Sequence, residues 1–366
     1  MARTADAGHP MPPGTMIGIL GGGQLGRMLA TAAAEIGMRT HVFCPDPQSP
    51  AFEVTPHRTV AAYEDREALA RFAEDVDIVT YEFENVPVDT AEFLADLKPL
   101  APGAVALRVA QDRLEEKAFL TAAGIEVAPF AAVADRDQLG AALDRIGAPA
   151  VLKTTRLGYD GKGQRTIRSA ADADAAFQAI GGPQLVLEAF IPFEHEISVI
   201  VARSATGEIA AYDPAENVHR DHILKTSTVP ADIDAATAAL ATGMAGRIVE
   251  ALEYVGVLGV EFFVLPGGKL LVNEIAPRVH NSGHWTQAGC VTSQFEQHIR
   301  AILGWPLGDV MRLADVVMEN LIGDEIESVP QHMGPRSQPH VYGKTEARPG
   351  RKMGHINRII RTFGAK

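Results

Sequence analysis

Cysteine is scarce in this sequence. Cys44 and Cys290 are its only two, without the paired spacing of a zinc site, and such usage suits a reducing compartment in which no disulfide is expected. Positive charge is short as well: 33 lysines and arginines face 46 acidic residues, a formal net charge of -13. That balance argues against a nucleic-acid partner, which needs a broad cationic face, and leaves any bound phosphate to local groups. Long apolar runs are missing too, so no segment is suited to span a membrane. Residues 1–14, rich in proline, glycine and small polar groups, lack the apolar centre of a signal peptide and read as a flexible extension of a cytoplasmic protein. Against these absences stands a hydrophobic content of 46% over 366 residues, enough for substantial cores in two or three domains.

Local patterns place those domains. MIGILGGGQLGRM runs from a short apolar strand through a glycine turn into a helix that can continue to Gly37. RTHVFCPD, EDREALARFAEDV and DIVTYEFE then read as strand, helix and strand, so residues 15–105 form an α/β unit around a parallel sheet. Residues 105–123 are expected to be one helix ended by Gly124, followed by a small α+β unit in which AVLKTT and TIRS flank the loop GYDGKGQ. From about residue 195 strands recur, with a helix over 232–254, a strand pair around Val257–Ile275, and a polar, basic C-terminal segment.

Gly21, Gly23 and Gly26 satisfy G-x-G-x-x-G between strand and helix, with Asp46 about twenty residues on. A nicotinamide dinucleotide is one guest for such a loop. The free N–H groups of a helix start hold any phosphate, so a phosphomonoester is an equally good one.

The stretch VLGVEFFVLPGGKLLVNEIAPRVHNSGH is the most informative. Pro266-Gly267-Gly268 is a hairpin signal, and a symmetric loop sets Leu265 opposite Leu270 and Glu261 opposite Glu274. Facing like charges are destabilising, unless a divalent cation bridges them to ATP phosphates. Oxygen ligands point to Mg²⁺, with Asn273 able to complete the shell. A bulge that shifts the register is the competing expectation.

Lys153 ends the apolar strand AVLKTT, where it can reach phosphate oxygens, and the glycines at 158, 161 and 163 allow GYDGKGQ to close over them. The spacing is not that of a Walker P-loop. Glu188 at the end of QLVLE is placed to recognise adenine and ribose, and Glu196 to meet ribose hydroxyls.

The order Lys153, GYDGKGQ, LEAFI, EHEIS and VEFFV…NEIAPRVHNSGHW resembles the ATP-grasp superfamily and, within it, the N5-carboxyaminoimidazole ribonucleotide synthetase family of purine biosynthesis; RPGRKMGH and GGGQLGRM extend the likeness from Met16 to Arg358. The resemblance implies a Rossmann-like pre-ATP-grasp domain over 15–105, a linker helix and mobile lid over 106–190, and a C-terminal ATP-grasp domain with a basic acceptor-binding tail over 191–366. It implies ATP contacts at Arg113, Lys153, Gly158, Tyr159, Asp160, Gly161, Lys162, Gly163, Gln164, Glu188, Ala189, Phe190, Ile191, Glu196, His219, Asn273 and Glu274, with Mg²⁺ on Glu261 and Glu274. Acceptor binding falls to Gln24, Leu25, Glu82 or Glu84, Tyr159, Asp160, His280, Asn281, Lys344 and Arg351. Lys153, Arg278 and Asp160 are the residues expected to carry the chemistry. Two departures are the N-terminal extension and Leu157, where the family often has a further glycine.

The chemistry so implied is ATP-dependent carboxylation of 5-aminoimidazole ribonucleotide. Bicarbonate attacks the γ-phosphate to give carboxyphosphate and ADP, and the exocyclic amine then attacks that carbon or the CO₂ it releases, while the lid excludes water. A homodimer, and a mutase that takes the product, are the partners implied. Arg348–Lys352 with Lys344 suit a phosphate clamp. His280 and His284 share an i, i+4 spacing but lie in a glycine-interrupted segment unsuited to a helical metal site, and His355 has no assigned role. Three alternatives remain at this point: a formate-activating sibling acting on glycinamide ribonucleotide, an NAD-dependent oxidoreductase, and a non-catalytic nucleotide-binding regulator. TYEFE, HNSGHW and RPGRK argue against the first, and the paired glutamates against the last.

Overall fold

The computed structural model describes residues 10–158 and 161–363. Tyr159 and Asp160, both expected at the site, lie outside the described residues, as does the start of the extension. The N-terminal part alternates β1 (Met16–Leu20), α1 (Gln24–Glu35), β2 (Arg39–Phe43), β3 (His57–Thr59), α2 (Arg66–Asp75), β4 (Ile78–Tyr81) and α3 (Val88–Leu97). Its strands pair in parallel in the order β3-β2-β1-β4. Every residue of β1 and β4 is buried, as a sheet covered on both faces demands. The chain leaves β3 and re-enters on the far side of β1, which opens a crevice beyond the C-terminal ends of β1 and β4, the place where such sheets take ligands.

The single helix expected over 105–123 is two, α4 (Ala104–Gln111) and α5 (Arg113–Ala122). Asp112 between them takes extended backbone, and its carboxylate accepts from the amides of Leu114 at 3.0 Å and Glu115 at 3.4 Å. An aspartate that caps a new helix outweighs the propensity of its neighbours to continue the old one.

The small unit contains β5 (Phe130–Val133), α6 (Arg136–Ile146), β6 (Ala150–Thr154), β7 (Gln164–Ile167), α7 (Ala173–Ile180) and β8 (Leu185–Ala189). Its antiparallel sheet, β5-β8-β6-β7, packs both helices around a small core of its own that includes Leu139, Leu152 and Leu187.

The body is a nine-stranded sheet: β9 (His195–Arg203), β10 (Ile209–Ala211), β11 (Ala215–Arg220), β12 (Ile223–Val229), β13 (Gly256–Val264), β14 (Leu270–Ala276), β15 (Ala314–Ile322), β16 (Ser337–Val341) and β17 (Lys352–Thr362). Helix α8 (Ala235–Ala251) joins the core on one face, while α9 (Thr286–Gly289) and α10 (Gln294–Ile302) lie on the other. Leu29 and Ala33 of α1 share a core with Phe295 and Ile299 of α10. Burying a leucine or isoleucine side chain there contributes about 1.5–3 kcal/mol, so the N-terminal sheet and the body are fused rather than hinged.

The polar, basic C-terminal segment contributes β17, which lies between β15 and β16 within the sheet. One sequence expectation changes here. Residues 10–14 of the supposed flexible extension are tied down, Met11 donating its amide to Leu303 at 2.9 Å and accepting from the indole of Trp305 at 2.7 Å.

Candidate active site

A cleft of about 1310 Å³ runs between the lid sheet and the body and reaches the crevice above β1 and β4. Its floor includes the β13–β14 hairpin. Val264 pairs with Leu270 and Phe262 with Val272, one residue out of step with a symmetric loop; a bulge at Asn273 then restores the count, and Glu261 faces Glu274. The facing carboxylates and the competing bulge are therefore both present. Burial and the neighbouring Glu274 push the Glu261 carboxyl up to about 8. His280 Nε2 stands 3.7 Å from Glu261, and burial keeps that imidazole neutral, well below its ordinary range.

One face of α5 spans the cleft. Arg113 donates to the Gly158 carbonyl at 3.1 Å and lies 3.7 Å from Glu274. Lys117, 1% exposed, sits 3.4 Å from one oxygen of Glu188, and Lys153 reaches the other at 2.9 Å. Burial raises the Glu188 carboxyl but the two lysines outweigh it, so it stays ionised below its usual range. Burial also pulls the Lys153 ammonium down, against the pull of Glu188. The Glu188 carboxylate, expected to recognise adenine and ribose, is thus the counter-ion of two lysines in this structure. Glu196 likewise takes His219 Nδ1 at 2.7 Å, and that carboxylate outweighs burial to hold the imidazole above its ordinary value.

In the lid loop, Leu157 adopts a left-handed φ of 60° with its side chain largely in solvent, at the position where a glycine was expected. Gly161 and Gly163 are also left-handed, and a Cβ would meet the ring of His222 at 2.6 Å in the first and Thr154 Oγ1 at 2.7 Å in the second. Lys162, Gln164 and the Ala189–Ile191 segment line the cleft with them, while Gly163 is not part of its wall.

At the crevice end the glycine fingerprint has an occupant. Glu82 accepts from the amides of Gly23 at 2.7 Å and Gly26 at 3.2 Å. A Cβ at Gly21 or Gly23 would strike the Glu82 side chain at 2.7 and 2.9 Å. Two of the loop's amides, those of Gly23 and Gly26, are thus taken by the chain's own carboxylate and are not free for a phosphate. Burial raises the Glu82 carboxyl, opposed by those two amides. Glu84, next but one, turns to Arg278: Nη2 donates to its Oε1 at 2.8 Å and Nε to its Oε2, while Nη1 donates to the Val279 carbonyl. Burial would raise Glu84, but the guanidinium outweighs it and holds the carboxyl low.

Gln24, Leu25, Glu84, Arg278, His280 and Asn281 line the crevice end of the cleft; Glu82 lies just beneath it. The Nδ2 of Asn281 is buried without a hydrogen-bond partner among the described residues. Lys344 and Arg351 are not part of the wall. Lys344 donates to the Lys352 carbonyl at 2.7 Å and Arg351 to the Glu346 carbonyl at 2.8 Å, whereas Lys352 itself lines the cleft. His284 bonds Gln294 at 3.0 Å and stacks on His355, which bonds Tyr342 at 2.9 Å; both are core residues. Sequence reasoning missed Glu116 and Lys117, whereas Lys352 belongs to the basic run expected to clamp a phosphate. The R-x-x-E-K spacing of 113, 116 and 117, which sets all three on one helix face, was the available signal for the two.

A lid sheet closing on a body through an ion-paired lysine, over a floor of facing carboxylates, is the arrangement of an ATP-grasp protein. Residues 118–295 match the ATP-grasp domain family, 15–111 the ribonucleotide synthetase preATP-grasp domain and 316–363 the phosphoribosylaminoimidazole carboxylase C-terminal domain. The N5-carboxyaminoimidazole ribonucleotide synthase of Brucella melitensis is 54% identical over 95% of this chain and 97% of its own length, and that of Bacillus subtilis 44% over 94% and 91%. The ADP complex of an N5-carboxyaminoimidazole ribonucleotide synthetase superposes with a TM-score of 0.93 at 44% identity, covering 96% of this chain and 94% of that one. The Aspergillus clavatus N5-carboxyaminoimidazole synthase bound to ADP and 5-aminoimidazole ribonucleotide gives 0.90 at 32%, covering 95% and 94%. The chain is an ATP-dependent ligase of the ATP-grasp class, and it belongs to the N5-carboxyaminoimidazole ribonucleotide synthase family.

Proposed function

We propose that this chain uses ATP to join bicarbonate to the exocyclic amine of 5-aminoimidazole ribonucleotide, forming N5-carboxyaminoimidazole ribonucleotide, ADP and phosphate in purine biosynthesis. Family membership supports the overall reaction. The observation that carries the residue assignment is the Glu261–Glu274 pair facing one another beneath the cleft that Lys153 and Arg278 also line.

Two carboxylates in cross-strand register, one raised to about 8, form an oxygen donor set short of positive charge. That fits Mg²⁺, which is held by one or two carboxylates plus substrate phosphates. Glu261 and Glu274 hold it, with Asn273 beside them, and when bound it neutralises phosphate charge. Lys153 steadies the ATP phosphates, Arg113 and the lid loop close over them, and Ala189–Ile191 with Glu196 and His219 border the nucleoside. A bicarbonate oxygen bonds to the γ-phosphorus as the bond to ADP breaks, and Arg278 stabilises the carboxyphosphate so formed. The acceptor amine then bonds to the carboxyl carbon, inorganic phosphate leaves, and the amine proton is lost. Gln24, Leu25, His280, Asn281 and Lys352 border the acceptor, with Tyr159 and Asp160 assigned to it from the lid loop and Asp160 also to the chemistry. Closure of the lid over residues 106–190 excludes water from the acyl phosphate.

A cytoplasmic location, a homodimer and transfer of the product to a mutase complete the reading. Free Cys44 and Cys290 support the first, and the exposed Val291, Met311, Leu313 and Phe363 the second. ADP release from Mg²⁺·ATP and bicarbonate tests the whole: strong stimulation by 5-aminoimidazole ribonucleotide is expected, and stimulation only by formate plus glycinamide ribonucleotide would reassign the chain to the sibling activity.

A further inference from the structure

Strand β14 is an edge of the nine-stranded sheet, and the outward amides of an edge need partners. In a regular strand these fall on every second residue. The Val272 amide points outward from the edge and donates to the Glu126 carbonyl at 2.9 Å, so without the bulge the next outward amide would be that of Glu274. With the bulge at Asn273 it is Ile275, and this amide donates to Glu116 Oε1 at 2.7 Å. Glu116 is 3% exposed. A regular β14 would turn the Ile275 amide toward β13 and leave the buried Glu116 carboxyl without that donor. The same register would slide Glu274 away from Glu261.

We infer that Glu116 is a positioning residue which fixes the bulged register of β14 and thereby sets Glu274 opposite Glu261. It rests on the assignment of Glu261 and Glu274 as the metal pair. Glu116 itself touches no metal ligand side chain in a hydrogen bond; it acts through one backbone amide. Arg113 and Lys117, on the same face of α5, hold the lid loop and Glu188, so one helix fixes the geometry of both walls of the cleft. Burial, opposed by Lys117, pushes the Glu116 carboxyl up to about 7. Acceptance of one N–H does not require the charge, and a glutamine oxygen can replace it.

The full chain carrying Glu116→Gln, Glu116→Met or Glu274→Gln is compared with the wild type by Mn²⁺ binding in the presence of ADP, followed by electron paramagnetic resonance, and by amide hydrogen exchange over residues 270–276. Glu116→Gln should bind Mn²⁺ as the wild type does and keep Ile275 protected. Glu116→Met, similar in length but without an acceptor, should bind roughly tenfold or more weakly and lose protection at Ile275. Wild-type Mn²⁺ binding and protection in Glu116→Met would overturn the inference, as would a Glu116→Gln variant weakened as much as Glu116→Met. Should Glu116→Met fail to fold, the Gln variant and its exchange pattern still decide. Unchanged Mn²⁺ binding in Glu274→Gln would instead remove the metal assignment, and the exchange data would then judge the register claim alone.

Discussion

Thr80 Oγ1 in β4 and His298 Nε2 in α10 lie 2.8 Å apart, while Nδ1 of the same ring accepts the amide of Val257 at 3.2 Å. The acceptor role fixes the tautomer: Nδ1 carries no proton, so Nε2–H donates to the hydroxyl. A neutral imidazole therefore stitches the N-terminal sheet to the body.

Burial lowers His298 from 6.5 to about 3. Between those values the unfolded chain binds the extra proton, so the stability is full above pH 6.5 and is lost as pH falls toward 3. Lowering pH from 6.5 to 5 should cost about 2 kcal/mol at this site, and buried His280, His284 and His355 act in the same direction. Urea unfolding of wild type and His298→Gln at pH 7.5 and 5.5 checks it; an equal acid loss in both proteins would exclude His298 as a source.

Glu274→Gln should reduce Mg²⁺·ATP turnover by about 10²- to 10³-fold while far-ultraviolet circular dichroism stays that of the wild type. The residue is partly exposed, and among the described residues its carboxylate has a single ion-pair contact, 3.7 Å to Arg113, so the fold does not depend on it. Wild-type ADP release would dismiss the carboxylate as a metal ligand.

Removing the acid partner of Arg278 should disturb the acyl step. In Glu84→Gln the guanidinium loses a bidentate partner, and kcat/KM for the acceptor is expected to fall by about 10²-fold. Saturation with ATP should change little, because Glu84 lies at the crevice end of the cleft. A KM increase confined to ATP would point to a different role.

Glu82→Ala should unmask the glycine loop. With its own carboxylate gone, the helix start regains amides for an external anion, and inorganic phosphate should raise the melting temperature of the variant by about 2 °C or more without doing so for the wild type. No difference between the two proteins would show that the loop is not an anion site even when emptied.

How far the sequence could be read depended on whether a signal was local. The parallel sheet of the first domain was legible because its apolar runs and helix stops repeat within a few residues of one another. The carboxylate pair was legible too, but by compensation: the loop is one residue out of step and Asn273 bulges back, and neither is visible in a pattern of period two. The spacing of the glycine loop says nothing of what its amides meet, and Glu82, which takes the Gly23 amide, comes from 59 residues away. The break at Asp112 was available as a capping aspartate ahead of Glu115, yet helical neighbours on both sides hid it. Glu116 and Lys117 act through partners far along the chain, and such meetings exist only after folding.

The placement of β17 also orders events during synthesis. Its ladder partners β15 and β16 both precede it in the chain, so each emerges from the ribosome with an unsatisfied edge and waits for the strand that belongs between them. Lys352, which opens that strand, faces the cleft. The part of the cleft wall that Lys352 supplies is therefore completed last, and until then the β15 edge is open to pairing with another chain.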